Sequence, residues 1–311
     1  MTTLCMKATA GCFSYGSTLV LIVNVAWFLT SSRRIRFRGN VCKLCFALLT
    51  VYFLLHLLES YEAHEASQNI HFLTFATSDI SLKEIRAEAE HFGFTAKFFY
   101  DEKYLKVTEL WSKHGDFILE NKRGFGYWIW KPFLVSDTLK RLKENDALLY
   151  ADGGCALNSA GAERLLQYVD MARASNGLLL FHVPMSETLY SKIDTIRRIL
   201  PTVPIEELGQ QRIGTAFVVI NTKETRRFFQ HVLKIATEHS YHFLDDSPST
   251  ASETPDFIDH RHDQSIMSLL SKHYNYSSIP DETYPPEKAH RLGFPIIGAR
   301  RKQRANADES G

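Results

Sequence analysis

The chain has 311 residues, 45% of them hydrophobic and 12% aromatic, with 36 basic against 35 acidic side chains and a formal net charge of +1. That length allows one large domain or two small ones, and the apolar fraction supplies ample core. The balanced charge leaves no electrostatic footprint for nucleic acid, so none is expected as a partner.

Four of the five cysteines, Cys5, Cys12, Cys42 and Cys45, fall in the first 45 residues, and only Cys155 lies beyond them. A disulfide framework in the remaining chain is thereby excluded. Cys42-x-x-Cys45 sits in an apolar run without a second ligand pair, which reads as chance or lipidation rather than as a redox or metal pair.

Residues 11–30 carry no charge, although Asn24 and several Ser and Gly weaken them as a membrane span. Arg33, Arg34, Arg36, Arg38 and Lys43 follow. Residues 41–58 are the better span: 18 residues with Lys43 able to snorkel, rising about 27 Å as a helix. Whether one segment crosses or both do, the positive-inside rule keeps the basic cluster in the cytoplasm. Everything after Leu58 is then expected outside the cytoplasm, in the Golgi or ER lumen if the source is eukaryotic. No small-x-small cleavage site follows Leu58, which argues for a signal-anchored or two-pass protein over a cleaved leader. Residues 1–58 thus form the membrane region, 59–68 a short acidic stem, 69–302 the folded domain and 303–311 a disordered tail. Asn275-Tyr276-Ser277 is an N-glycosylation sequon on the side where it is usable.

The folded domain opens with a β-rich run at 70–77, closed by Thr77-Ser78-Asp79, which can cap a helix over 82–91. A second strand at 94–100 and a mixed helical stretch at 104–120 continue the alternation. Such a β-α-β pattern predicts an α/β fold, a mostly parallel central sheet with helices on its faces and a ligand across its carboxyl edge.

Gly124-x-Gly126 is not a dinucleotide fingerprint, because the third glycine is absent and aromatics follow. Tyr127, Trp128 and Trp130 read first as packing residues and second as a wall on which a base or sugar stacks. Lys131, beside a helix start, is a candidate diphosphate contact. Pro132 fits that helix's first turn, and Leu134, Val135, Thr138, Leu139 and Leu142 recur at helical spacing as its core face. A strand at 147–150 then stops on Asp152-Gly153-Gly154. The carboxylate falls at the sheet's carboxyl edge, and the glycines let a backbone or a phosphate come close.

Further strands are expected at 178–181 and 215–220, and Asn221-Thr222-Lys223-Glu224 resembles a capping box opening a helix over 224–238. Residues 243–257 have no periodicity, as lids and acceptor-binding loops often do not. They lead into Asp259-His260-Arg261-His262-Asp263-Gln264-Ser265, where Asp263 alone reads as a helix N-cap. The same segment groups imidazoles, a cation and a carboxylate within one turn.

The blocks GYWIWKPFLVSDTL, DALLYADGGC and HRHDQSIMSLL resemble the GT-A nucleotide-diphospho-sugar glycosyltransferases, in particular members that build capsule-like or viral glycans. The resemblance spans residues 69–301 and is dense only in these blocks. It implies transfer of a sugar from a nucleotide-sugar donor to an acceptor hydroxyl on a glycan, glycoprotein or glycolipid, by a membrane-anchored enzyme. In that superfamily an Asp-x-Asp motif holds a divalent metal on the donor diphosphate. Here Asp152-Gly153-Gly154 stands in its place, so Mn²⁺ or Mg²⁺ is expected to rest on Asp152, water and the substrate phosphates. Asp152 and Asp263 are the implied catalytic carboxylates, Asp263 as general base or sugar-hydroxyl anchor. Thr77, Trp130, Lys131, Gly153, Gly154 and His262 are the implied substrate-binding residues. The rival from another class is a non-catalytic membrane glycan-binding or scaffold protein of the same fold. A small-molecule transferase is disfavoured by the lack of a glycine-rich strand-to-helix turn.

Overall fold

A computed structural model describes Thr50, Tyr52, Phe53, residues 69–284 and residues 293–298. The chain divides into two compact units, Met1–Tyr61 and Glu62–Gly311. The expected spans, apart from Thr50, Tyr52 and Phe53, and the stem and the tail lie outside the described residues. Among the described residues no helix is long and apolar enough to cross a membrane.

In the second unit the strands are β1 (Ile70–Phe75), β2 (Lys97–Tyr100), β3 (Ala147–Ala151), β4 (Ala156–Leu157), β5 (Leu178–Ser186), β6 (Gln210–Ile220), β7 (Ser277–Pro280) and β8 (Ile296–Ile297). Six of them form one sheet in the order β2-β1-β3-β6-β5-β7, while β4 and β8 make a separate pair. Strands β2, β1 and β3 are mutually parallel, as the β-α-β alternation predicts. Strand β6 runs antiparallel to both β3 and β5. The sheet is therefore mostly parallel with one reversed strand.

Period-two alternation sorts the strand side chains between two cores. On one face Leu148, Tyr150, Phe217 and Val219 meet the helices Trp130–Leu139, Lys223–Thr237 and Asp263–His273. On the other face Leu149, Ala151, Val218 and Phe181 meet the helices Asp79–Ala89 and Ala162–Ala174. Because both faces are covered, the central strands read as continuous apolar runs.

Helix starts differ in detail from the sequence reading. Ser78 caps the first helix, accepting from the Ser81 amide. The capping box at the later helix is closed by Thr222 and Thr225, not opened by Asn221. Asn221 instead donates to the carbonyls of Leu142 and Lys143 at 3.0 and 2.9 Å, tying the turn before β3 to the end of β6. The segment 243–257, expected as a lid or acceptor loop, is fastened down. Buried Lys192 donates to the carbonyls of His242, Asp245 and Ser247. Asp194 accepts from the Thr250 amide and hydroxyl at 2.7 and 2.8 Å.

Candidate functional site

Strands β1 and β3 end side by side, so the residues just past them share one edge. At that edge the Gly153 amide lies 3.3 Å from the Phe75 carbonyl. A Cβ on Gly153 would sit 2.6 Å from the Ala76 Cβ, whereas one on Gly154 would meet nothing within 4 Å. Gly153 thus permits the close approach of two backbones, and Gly154 leaves the space beside Asp152 open. The Asp152 side chain is 29% exposed. Its Oδ1 accepts from the Tyr150 hydroxyl at 2.6 Å.

Behind Asp152 lies Lys131, 2% exposed. Its Nζ is 2.9 Å from the Gly214 carbonyl, 2.9 Å from Asp263 Oδ2 and 3.3 Å from Asp152 Oδ1. Burial alone would push this amine down, but the two carboxylates more than offset it, so the ammonium is held above the ordinary lysine value. Burial pushes the Asp263 carboxyl up to about 6 even against that cation.

The His-Asp-Gln-Ser segment is more than a helix start. His262, not Asp263, is the N-cap, with φ 54° and no side-chain cap hydrogen bond. Each residue of the segment is bonded to a different piece of chain. His262 Nδ1 donates to the Leu244 carbonyl at 2.7 Å, and Asp263 pairs with Lys131. Gln264 accepts from the Gly214 amide at 3.1 Å and donates to Gln211 Oε1 at 2.7 Å. Ser265 donates to the Tyr190 carbonyl. Together these bonds fix the start of the helix Asp263–His273 against strand β6.

Two clefts meet at this edge, and Asp152 and Gly154 line both. The larger, of about 810 Å³, includes Tyr190, Gln211, Thr215, Arg261, Gln264 and Asp281. The smaller, of about 490 Å³, includes Thr77, Lys122, Phe125, Trp128, Trp130 and Gly153. Its wall is a left-handed turn, in which Gly124, Phe125, Gly126, Tyr127 and Trp128 all have φ between 52° and 83°. A Cβ on Gly124 would strike the Trp128 ring at 2.3 Å, so the turn needs glycine there. For Phe125, Tyr127 and Trp128 this backbone costs roughly 1–2 kcal/mol each. Trp130 Nε1 donates to the Gly124 carbonyl at 3.1 Å, bracing the turn from beneath.

Of the residues singled out in the sequence, Asp152, Gly153, Gly154, Thr77 and Trp130 line the clefts. Lys131 and Asp263 are joined to Asp152 from behind, and line neither cleft. With its donors directed at Gly214, Asp263 and Asp152, Lys131 is not disposed as the direct diphosphate contact expected of it. His262 lines neither cleft either; it is 1% exposed and stacks on Tyr127 and Trp128 at centroid distances of 4.6 and 5.7 Å. Burial pushes its imidazole down to about 4. Lys122 was not singled out in the sequence, yet it is exposed in the smaller cleft and pairs with no carboxylate among the described residues. Its signal was its place two residues before the Gly-aromatic run that opens at Gly124.

The expected Mn²⁺ or Mg²⁺ does not fit this donor set. Among the described residues no group of three or more His, Cys, Asp or Glu side chains converges to hold a metal ion. The carboxylate assigned to the ion already has an ammonium 3.3 Å from Oδ1. A divalent cation on the same carboxylate would meet like charge at close range, in partly buried surroundings that screen little.

No family model and no curated protein matches the sequence. Solved glycosyltransferases are among its structural neighbours. One is a glycosyltransferase involved in the glycosylation of the major capsid of PBCV-1, with 10% identity over 74% of this chain and 92% of that one, TM-score 0.38. Mouse xyloside xylosyltransferase 1 shares 13% identity over 75% of this chain and 85% of its own, TM-score 0.40. The glycosyltransferase GlyE of Streptococcus pneumoniae TIGR4 shares 13% identity over 74% of this chain and 54% of its own, TM-score 0.36.

Proposed function

We propose that this chain is a glycosyltransferase that moves a sugar from a nucleotide-sugar donor to an acceptor hydroxyl. The observation that carries the reading is Asp152, a partly exposed carboxylate at the carboxyl edge of parallel strands, shared by two clefts. Two clefts meeting at one carboxylate suit a reaction with two substrates. The smaller cleft suits the nucleotide diphosphate: Trp128 and Phe125 offer flat apolar surface for a base, and Lys122 offers a cation for phosphate. The larger cleft suits the acceptor glycan, because Gln264 and Thr215 offer donors and acceptors for hydroxyls, and Tyr190 a ring face.

In the reaction the acceptor oxygen bonds to the anomeric carbon while the bond from that carbon to the β-phosphate oxygen breaks. The nucleoside diphosphate leaves with the electron pair. Asp152 is the carboxylate positioned to take the acceptor's proton.

The membrane placement belongs to the same proposal and rests on the basic cluster 33–43 between apolar segments. Residues after Glu59 are expected to resist protease in sealed microsomes until detergent is added; digestion without detergent would contradict the placement.

Donor binding is directly measurable, since Trp128 and Trp130 line the smaller cleft. Titration of the full-length protein with nucleoside diphosphates is expected to quench its tryptophan fluorescence saturably. Lys122→Ala should weaken that binding roughly tenfold, the value of one charge-assisted contact of about 1.4 kcal/mol. No quenching by any nucleoside diphosphate would remove the nucleotide from the reading.

A further inference from the structure

We infer that Lys131 is a built-in cation filling the position a divalent ion would take between Asp152 and Asp263, so that the protein has no resident metal. Three oxygens converge on its ammonium: one from each of two carboxylates, and the carbonyl of Gly214. Two carboxylates and a backbone carbonyl are the donors that hard divalent cations select. In this chain the cradle comes from three separated segments: the end of β3, the start of the helix Asp263–His273 and the strand β6.

Several features show a cradle built around a cation. Asp263 Oδ2 is buried, and what faces it is the Lys131 ammonium 2.9 Å away. The ammonium also lies 5.4 Å from the centre of the Tyr150 ring, a further cation-favouring surface. Tyr150 in turn donates its hydroxyl to Asp152 Oδ1, so the same ring steadies both members of the ion pair. The lysine comes from the helix Trp130–Leu139, whose Leu134, Val135 and Leu139 are fully buried, so its stem is anchored in the core.

A consequence follows for the proposed transfer, and that consequence rests on the transferase reading. The charge of a leaving diphosphate is not met by a metal on Asp152. It falls to the cation that faces the smaller cleft, Lys122. Lys131 is a positioning residue, acting through Asp152 and Asp263 rather than on substrate.

The cradle can be tested with Mn²⁺ alone, without any sugar nucleotide, so its failure is separate from failure of the transferase reading. Electron paramagnetic resonance of Mn²⁺ with the full-length wild-type protein is expected to show no saturable binding below ~1 mM, the weak end of protein divalent-ion sites. Lys131→Ala vacates the cradle and should gain one Mn²⁺ per chain, with a rise in melting temperature on adding the ion. Stoichiometric Mn²⁺ on the wild type would overturn the inference, as would a folded Lys131→Ala protein that binds none. Should that variant fail to fold, the wild-type titration decides alone. A third reading covers an ion carried in by substrate: Mn²⁺ should leave the affinity for nucleoside diphosphate within about twofold, and a tightening of tenfold or more would also overturn it.

Discussion

Asp152→Asn is expected to lower turnover about a hundredfold or more in a protein that still folds, with a melting temperature lowered by the loss of one of the two counter-charges of Lys131. Asparagine preserves the shape of the side chain and still offers an oxygen to the Tyr150 hydroxyl, which donates to Asp152 at 2.6 Å. What it removes is the negative charge where the two clefts meet. A base that takes the acceptor's proton in the transition state contributes a factor of about 10²–10⁴. At about 1.36 kcal/mol per decade, a hundredfold loss corresponds to roughly 3 kcal/mol of transition-state stabilisation. Parallel measurement of nucleoside diphosphate release and of thermal melting separates the two effects. A normally folded Asp152→Asn protein with parental turnover would remove this carboxylate from the chemistry.

Lys131→Met is expected to act chiefly on stability. Methionine fills much of the lysine's volume but leaves Asp263 buried, with its side chain 5% exposed and its counter-charge gone. Breaking a buried pair from one side typically costs about 3–5 kcal/mol, because the remaining charge is uncompensated. Denaturant melts should show that loss, and Asp263→Asn in the same chain should recover a large part of it. The pH dependence has a definite sign. The folded-state value of Lys131 is raised, so its contribution is fully present below the ordinary lysine value and is lost only as pH rises through the raised value. The Lys131→Met deficit should therefore persist at neutral pH and shrink at both extremes: in strong alkali, where Lys131 loses its charge, and in acid below about pH 6, where the Asp263 carboxyl takes up a proton and no uncompensated charge is left. A Lys131→Met protein as stable as the parent would show that the pair contributes nothing net.

Much of the architecture was legible because it is local. The run at 70–77 and the strand ending on Asp152 have the period and the stop signals of sheet strands, and β1, β2 and β3 pair in parallel as that alternation implies. The reversal of β6 was not legible, since a strand's apolar pattern is the same in both directions. The Gly124-x-Gly126 spacing announced a special turn. It did not announce that Phe125, Tyr127 and Trp128 share its left-handed backbone, because side chains of that size rarely adopt it.

At the site, Asp152, Asp263 and Lys131 were each singled out, but their mutual contact joins segments far apart in sequence, which no local spacing encodes. Reading Lys131 as a phosphate contact followed from charge beside a helix start; burial among acceptors reverses it. Asp263 read as an N-cap because Asp caps helices, and one residue's shift to His262 frees its carboxylate for Lys131. Asn221 and Thr222 differ in the same way, by one position in a polar pair at a helix start.

The most direct test of the account is turnover of donor. The full-length protein in detergent would be incubated with a panel of sugar nucleotides, with and without a mixture of glycan acceptors, and the released nucleoside diphosphate quantified. The account predicts release from at least one sugar nucleotide, increased by acceptor, undiminished by EDTA and lost in Asp152→Asn. No release from any donor by a folded protein would contradict it, and would leave a fold that binds glycans or scaffolds other proteins without transferring sugar.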